Sequence, residues 1–295
     1  SIVMRQYYNI VLAAAVTAVL ALLFFNIFSD RYKEREYNSS FEWPEGKKMG
    51  LSLTFDDGRN SQIDKGIPLF DKYGVKGTFY VSTQNIVGRT EKWRRAAANG
   101  HEIGNHTLSH PCTGNFTWTM GYELEYFTLD RMRDELEAAS EIIRDSLGVL
   151  PVSFAYPCGQ TFVGSGIETK SYVPLVATMF QTGRGWLDEG PNDPMICDMA
   201  HLLGMNMDGM SFREVKRMIE FAKRTGKWLI LVGHEMDVKG DQTTYLSTLD
   251  AICKYATDPA NEIWIDNVQN IASYISEKRN DIIVAKALHE EFITE

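Results

Sequence analysis

The 295-residue chain is 44% hydrophobic, enough for a sizeable core in one main domain, and it carries a formal net charge of −9. That acidic balance, with no long basic run and no glycine-rich phosphate loop, argues against a nucleic-acid partner. The four cysteines, Cys112, Cys158, Cys197 and Cys253, are too few and too scattered for a disulfide scaffold, and none forms a Cys-x-x-Cys pair.

Residues 10–28 form an apolar run, interrupted by Thr17 and Asn26, that is long enough to cross a bilayer. The run follows Met4-Arg5, which reads as a natural start. No small-x-small cleavage pattern marks its end, which favours a retained anchor over a removed signal peptide. Arg31, Lys33 and Arg35 after the run outnumber Arg5 before it, so a positive-inside count alone would leave the rest of the chain in the cytoplasm. We read 1–30 as a membrane anchor or signal segment and 31–46 as a linker with turn signals at Asn38-Ser39-Ser40 and Pro44-Glu45-Gly46. The main domain is expected over 47–280, with a closing tail at 281–295.

Within the domain, strand-like segments at 51–55, 76–81, 101–103, 152–156, 228–232 and 262–265 alternate with helical ones at 63–73, 129–147, 212–225 and 267–278. This alternation predicts an α/β fold with a parallel sheet and crossover helices, and by itself allows either an open sheet or a closed barrel.

The first strand ends in Thr54-Phe55-Asp56-Asp57-Gly58. Neighbouring residues on a strand point to opposite sides, so the two carboxylates are expected to divide labour, one binding metal and the other handling protons. The strand at 101–103 leads into His106-Thr107-Leu108-Ser109-His110, whose spacing would let two imidazoles converge on one cation from a single helical turn. One carboxylate and two imidazoles leave coordination positions open, the pattern of a catalytic zinc rather than a closed structural one. His101, His201 and His289 are read as packing or surface residues, and Met205, Met207 and Met210 as adaptable packing.

Over about 47–279, these motifs make the chain resemble the polysaccharide deacetylases of carbohydrate esterase family 4, with the NodB homology domain. Thr54 to Gly58 matches the first family motif and His106 to His110 the second. The third is partly met by Ala155-Tyr156-Pro157-Cys158-Gly159, in which Ala155 replaces an arginine and Cys158 an aromatic residue. The fifth resembles Val232-Gly233-His234. No clear fourth motif is found, although Gly183-Arg184-Gly185-Trp186 occupies its region.

The resemblance implies a distorted (β/α) barrel and a hydrolase that removes acetyl groups from an acetylated glycan in the cell envelope. Asp57, His106 and His110 would hold a divalent metal, zinc first, with cobalt or nickel as substitutes. Asp56 would be the general base toward a metal-activated water, the backbone N–H of Cys158 the oxyanion donor, and His234 the acid. Arg184 is expected to reach Asp56 by a planar two-point contact in place of the arginine missing at Ala155. Trp118, Tyr156 and Trp186 are either sugar-facing aromatics or core. A bridge between Cys112 and Cys158 would require an oxidising compartment, and spacing does not establish its geometry. The alternatives are a hydrolase of a small non-peptide amide and a catalytically silent glycan-binding protein.

Overall fold

The computed structural model describes residues 41–293, with side chains as far as Asp281. The apolar run at 10–28 lies outside these residues, as does the side chain of His289; among the described residues no helix is long and apolar enough to cross a membrane.

Strand and helix alternate from the start. The first half holds β1 (Met49–Asp57), α1 (Ile67–Tyr73), β2 (Thr78–Val81), α2 (Thr90–Ala98), β3 (Glu102–Asn105), α3 (Leu129–Leu147) and β4 (Ser153–Ala155). A small hairpin, β5 (Phe162–Val163) and β6 (Lys170–Ser171), precedes α4 (Val173–Met179), β7 (Thr182–Arg184) and β8 (Met205–Asn206). Then come α5 (Phe212–Arg224), β9 (Trp228–Gly233), the pair β10 (Glu235–Asp237) and β11 (Thr243–Tyr245), α6 (Leu246–Thr257), β12 (Ile263–Ile265) and α7 (Val268–Ile293).

Eight strands form one sheet in the order β7-β4-β3-β2-β1-β9-β8, with β12 paired to the first residues of β1. All its ladders are parallel. The sheet curls until its ends meet: Leu202, just before β8, bridges Arg184 of β7, and Gly185 N and Leu202 N donate across that seam at 2.8 and 2.7 Å. The result is a distorted (β/α) barrel of the NodB type.

The sequence of β1 explains how the barrel is lined. Met49, Leu51, Leu53 and Phe55 are fully buried in the cluster under the helices, with Ile67 and Phe70 of α1, Val215 and Ile219 of α5 and Leu249 and Ile252 of α6. Residues of the opposite parity are small or polar: Ser52 Oγ accepts from Trp228 Nε1 at 3.1 Å, and Thr54 Oγ1 donates to the Leu231 carbonyl at 2.8 Å. Asp56 shares that parity and so ends the strand on the barrel's interior side. Deleting a fully buried ring such as Phe55 would cost about 3–5 kcal/mol, because the closed layer cannot collapse into the space.

Three local differences from the sequence reading have clear causes. The helix expected from 63 begins as a π-turn over Gln62–Gly66 and becomes α-helical at Ile67, since Pro68 has no N–H to continue the ladder and Gly66 lies against Met236. The last helix runs through the stretch read as a tail to Ile293, with no Gly or Pro to stop it. The histidine pair lies in a loop rather than on a helical turn, as described below.

Candidate active site

The C-terminal ends of the barrel strands supply a cleft of about 830 Å³. Asp56 and Asp57 line it from the end of β1, Ser82 from β2, His106 and His110 from β3, Cys158 from β4, Trp186 from β7 and His234 from β9.

Asp57 and Asp56 are separated by the backbone. Asp57 has φ 75°, which turns it out of strand geometry toward the cleft. Gly58 follows with φ 71°, and a Cβ there would lie 3.0 Å from Val81, so the motif's glycine is required twice over. The Asp57 carbonyl is fixed by Ser82 N at 3.2 Å and Asn85 Nδ2 at 2.9 Å. Arg59 grips Asp57 Oδ2 with Nε at 2.9 Å and Nη2 at 2.8 Å, leaving Oδ1 to face the histidines.

Asp57 Oδ1 lies 3.5 Å from Nε2 of both His106 and His110. Thr107 and His110 both have left-handed backbones, with φ 68° and 53°, so a helical turn cannot be what brings the rings together. The buried Glu135 of α3 shapes the loop instead. Its Oε2 accepts from Leu108 N at 3.2 Å and Ser109 N at 2.9 Å, and its Oε1 from Ser109 Oγ at 2.7 Å. Asn105 Oδ1 takes the Thr107 amide at 2.8 Å and Thr107 Oγ1 the His110 amide at 2.9 Å.

The donor set fits a divalent cation. His106 Nδ1 is 2.9 Å from the Ala155 carbonyl, which takes the ring proton there and turns the Nε2 lone pair toward Asp57. Burial, with the neighbouring His106, pushes His110 down to about 4, keeping its imidazole neutral. Burial works to raise the pKa of Asp57, but its contacts with His106, His110 and Arg59 win and hold it far below the usual carboxylate range.

Asp56 is buried and meets Arg184, which reaches across from β7. The contact is not the expected two-point fork: Nη2 bonds Asp56 Oδ1, while Nη1 donates to the Gly185 carbonyl at 2.8 Å. The guanidinium also lies over the Tyr80 ring at 4.8 Å. Its register partner on β4 is Ala155.

His234 is held by Asp208, with Nδ1 2.7 Å from Oδ2. The other Asp208 oxygen accepts from His234 N at 3.2 Å and Thr244 Oγ1 at 2.6 Å. Burial alone would lower the His234 pKa, but the bond to Asp208 and the carboxylates of Asp56, Asp208 and Asp57 outweigh it and raise it. Trp186 packs edge-on against the His234 ring with centroids 5.2 Å apart. Gln62 Nε2 ties the two sides together, donating to the carbonyls of Asp56 at 2.6 Å and His234 at 2.8 Å.

Among the aromatics, Trp186 and Trp118 line the cleft but Tyr156 does not. Tyr156 is fully buried, packs on Phe154 and Tyr172, and donates its hydroxyl to the Ala200 carbonyl at 2.6 Å. Sequence reasoning missed Glu135, Arg59, Gln62 and Asp208; of these, Asp208 lay next to Met207 in a run read only as packing. Cys112 and Cys158 form a disulfide, with Cα atoms 6.1 Å apart, which supplies the geometry that their spacing alone could not establish.

A family profile described as polysaccharide deacetylase matches residues 44–165. Over these residues the chain is similar to the polysaccharide deacetylases. It is 31% identical over 96 residues to the peptidoglycan-N-acetylmuramic acid deacetylase PdaA of Bacillus subtilis (strain 168), covering 32% of each chain. To chitin deacetylase 1 of Cryptococcus neoformans var. grubii it is 26% identical over 199 residues, covering 66% of this chain and 38% of that one. The chain therefore spans about a third of the length of these two relatives. Its fold is similar to that of a family 4 acetyl xylan esterase from Clostridium thermocellum in complex with a cobalt ion, with a TM-score of 0.50 and 18% identity over 76% of this chain and 91% of that one.

Proposed function

We propose that this protein is a polysaccharide deacetylase, a metal-dependent hydrolase that removes acetyl groups from an acetylated polysaccharide or oligosaccharide. The observation that carries the reading is one cleft shared by a two-histidine, one-carboxylate cation site, a buried carboxylate held by arginine and a buried histidine held by carboxylate.

Asp57, His106 and His110 would hold the cation. Two ring nitrogens and one carboxylate oxygen suit zinc first, with cobalt or nickel as substitutes. Once bound, the cation supplies Lewis acidity that activates water and polarises the acetyl carbonyl. Asp56 takes the proton from water, with Arg184 holding the carboxylate in place. The backbone N–H of Cys158, in the first turn of the short 3-10 helix Pro157–Gly159 where such groups lack helical partners, donates to the oxyanion. His234 gives its Nε2 proton to the departing amine or alkoxide, and Asp208 on the far nitrogen stabilises the charged ring beforehand.

The cleft favours a polymer over a small amide. Phe116 and Trp118 line it as a stacked pair with centroids 4.5 Å apart, and Trp118 is 65% exposed, a flat face suited to a pyranose ring. A glycan-binding protein without catalysis would have no use for a positioned base and acid. The named activities of the two relatives point to an N-acetylated cell-wall glycan such as peptidoglycan or chitin. We place the domain outside the cytoplasm, in the cell envelope, where the Cys112–Cys158 bridge would persist. The test is acetate release by the zinc-loaded protein from peptidoglycan, chitin oligomers and acetylated xylan. Release from at least one supports the reading; none from any, by folded and metal-bound protein, contradicts it.

A further inference from the structure

We propose that the Cys112–Cys158 disulfide positions two parts of the reaction site at once. Its Cys112 sulfur orients the cation ligand His110, and its Cys158 half fixes the amide that meets the oxyanion. The inference rests on the deacetylase reading above and concerns residues that the reading leaves without a role: Cys112 altogether, and the Cys158 side chain.

The two histidines facing Asp57 need a partner on their far nitrogens if their Nε2 lone pairs are to stay turned to a cation. His106 has the Ala155 carbonyl at 2.9 Å. His110 has a sulfur: its Nδ1 lies 3.7 Å from Cys112 Sγ. A disulfide sulfur has no hydrogen to give, so at this contact the imidazole is the donor and Nδ1 carries the proton, which leaves Nε2 free. A free thiol could instead donate to Nδ1 and put the proton on Nε2, the tautomer that cannot bind metal. The bridge therefore selects the ligating form of the ring.

The same bond ends on Cys158, whose φ of 56° lies in the left-handed region that residues with a Cβ seldom occupy. His110, two residues before Cys112, is held at φ 53°. Such backbones persist only where the surroundings over-determine them. Here the surroundings include a covalent link across 46 residues of sequence and a neighbouring hydrogen bond from Thr113 N to Gln160 Oε1 at 2.8 Å, joining the same two loops. Cys112 is fully buried, so solvent does not compete for its sulfur.

The experiment compares wild-type protein with two double variants, Cys112→Ala/Cys158→Ala and Cys112→Ser/Cys158→Ala. Both remove the bridge without leaving a thiol beside the cation, and only the second restores a polar atom near His110, a hydroxyl that can accept from Nδ1 but, unlike the disulfide sulfur, can also donate to it. Zinc affinity, by competition with a chromophoric chelator, is read without any glycan. It should fall about tenfold or more in the Ala/Ala protein and recover at least in part in the Ser/Ala protein. For acetate release, kcat should fall about 10- to 100-fold in both, with KM within about twofold, because the amide serves the transition state and not the bound substrate. If neither variant folds, the folded wild type is loaded with Co2+ and its bridge reduced by a phosphine, which with one water yields two thiols and the phosphine oxide. The cobalt absorption bands should then change. Wild-type zinc affinity and kcat in folded double variants, or unchanged cobalt bands after complete reduction, would overturn the proposal. A wild type that binds zinc yet deacetylates nothing counts against the proposed function; the zinc affinities still decide the role of the bridge.

Discussion

Asp208 holds His234 from two directions, its Oδ2 2.7 Å from the ring Nδ1 and its Oδ1 3.2 Å from the same residue's amide. The pair fixes both where the ring points and how tightly it keeps a proton. Because the His234 pKa is raised, the protonated acid persists to higher pH than an ordinary histidine would allow, and kcat should decline only above about pH 6.5. Asp208→Asn removes a negative charge and weakens that hold, so the alkaline limb should move to lower pH and kcat should drop. A pH profile of kcat on a substrate with a poor leaving group measures this. An unmoved limb in Asp208→Asn would separate the limb from His234.

Arg184 and Asp56 predict a different signature. The arginine is fully buried, and breaking a buried pair by removing one partner costs about 3–5 kcal/mol. Its two terminal nitrogens serve Asp56 and the Gly185 carbonyl separately, and one lysine ammonium cannot span both. Arg184→Lys and Arg184→Ala should each lower kcat by about 10²-fold through misplacement of the base, with zinc content unchanged. Full activity in Arg184→Ala would show that Asp56 needs no such partner.

Glu135 should behave as part of the cation site although it touches no cation. Glu135→Ala removes both acceptor oxygens and leaves the amides of Leu108 and Ser109 and the Ser109 hydroxyl without their partner. The loop then loses its shape, and zinc affinity should fall about tenfold. Chelator competition on the folded variant checks this, and wild-type affinity would refute it.

Trp118→Ala tests the glycan-facing side of the cleft. Loss of one stacking face is worth about 0.5–1.5 kcal/mol, so KM for a long acetylated glycan should rise between about twofold and tenfold while zinc content stays at the wild-type level. An unchanged KM across glycan lengths would remove Trp118 from the binding surface.

Much of this arrangement was legible in the sequence wherever it followed local rules. The alternation of Leu51, Leu53 and Phe55 up to Gly58 gives β1 and places Asp56 and Asp57 at a strand end. The spacing of His106 and His110 shows that they belong together, but not that Glu135, on a helix 27 residues away by its contact with Leu108, shapes their loop. Strands of three and two residues, β7 and β8, are too short to display a period, so Asp208 just beyond β8 was lost in a methionine run. Arg184 was found from a vacancy, the absent arginine at Ala155. Tyr156 could not be assigned, because an aromatic residue at a strand end reads alike whether it faces the core or a sugar.

The most direct test of the account is the dependence of acetate release on a cation held by Asp57, His106 and His110. Chelator-treated protein should be inactive, regain activity with one equivalent of zinc or cobalt, and bind neither ion after His106→Ala, His110→Ala or Asp57→Ala, whereas Asp56→Asn should bind the ion without turning over. Undiminished acetate release by protein verified free of metal would contradict the account.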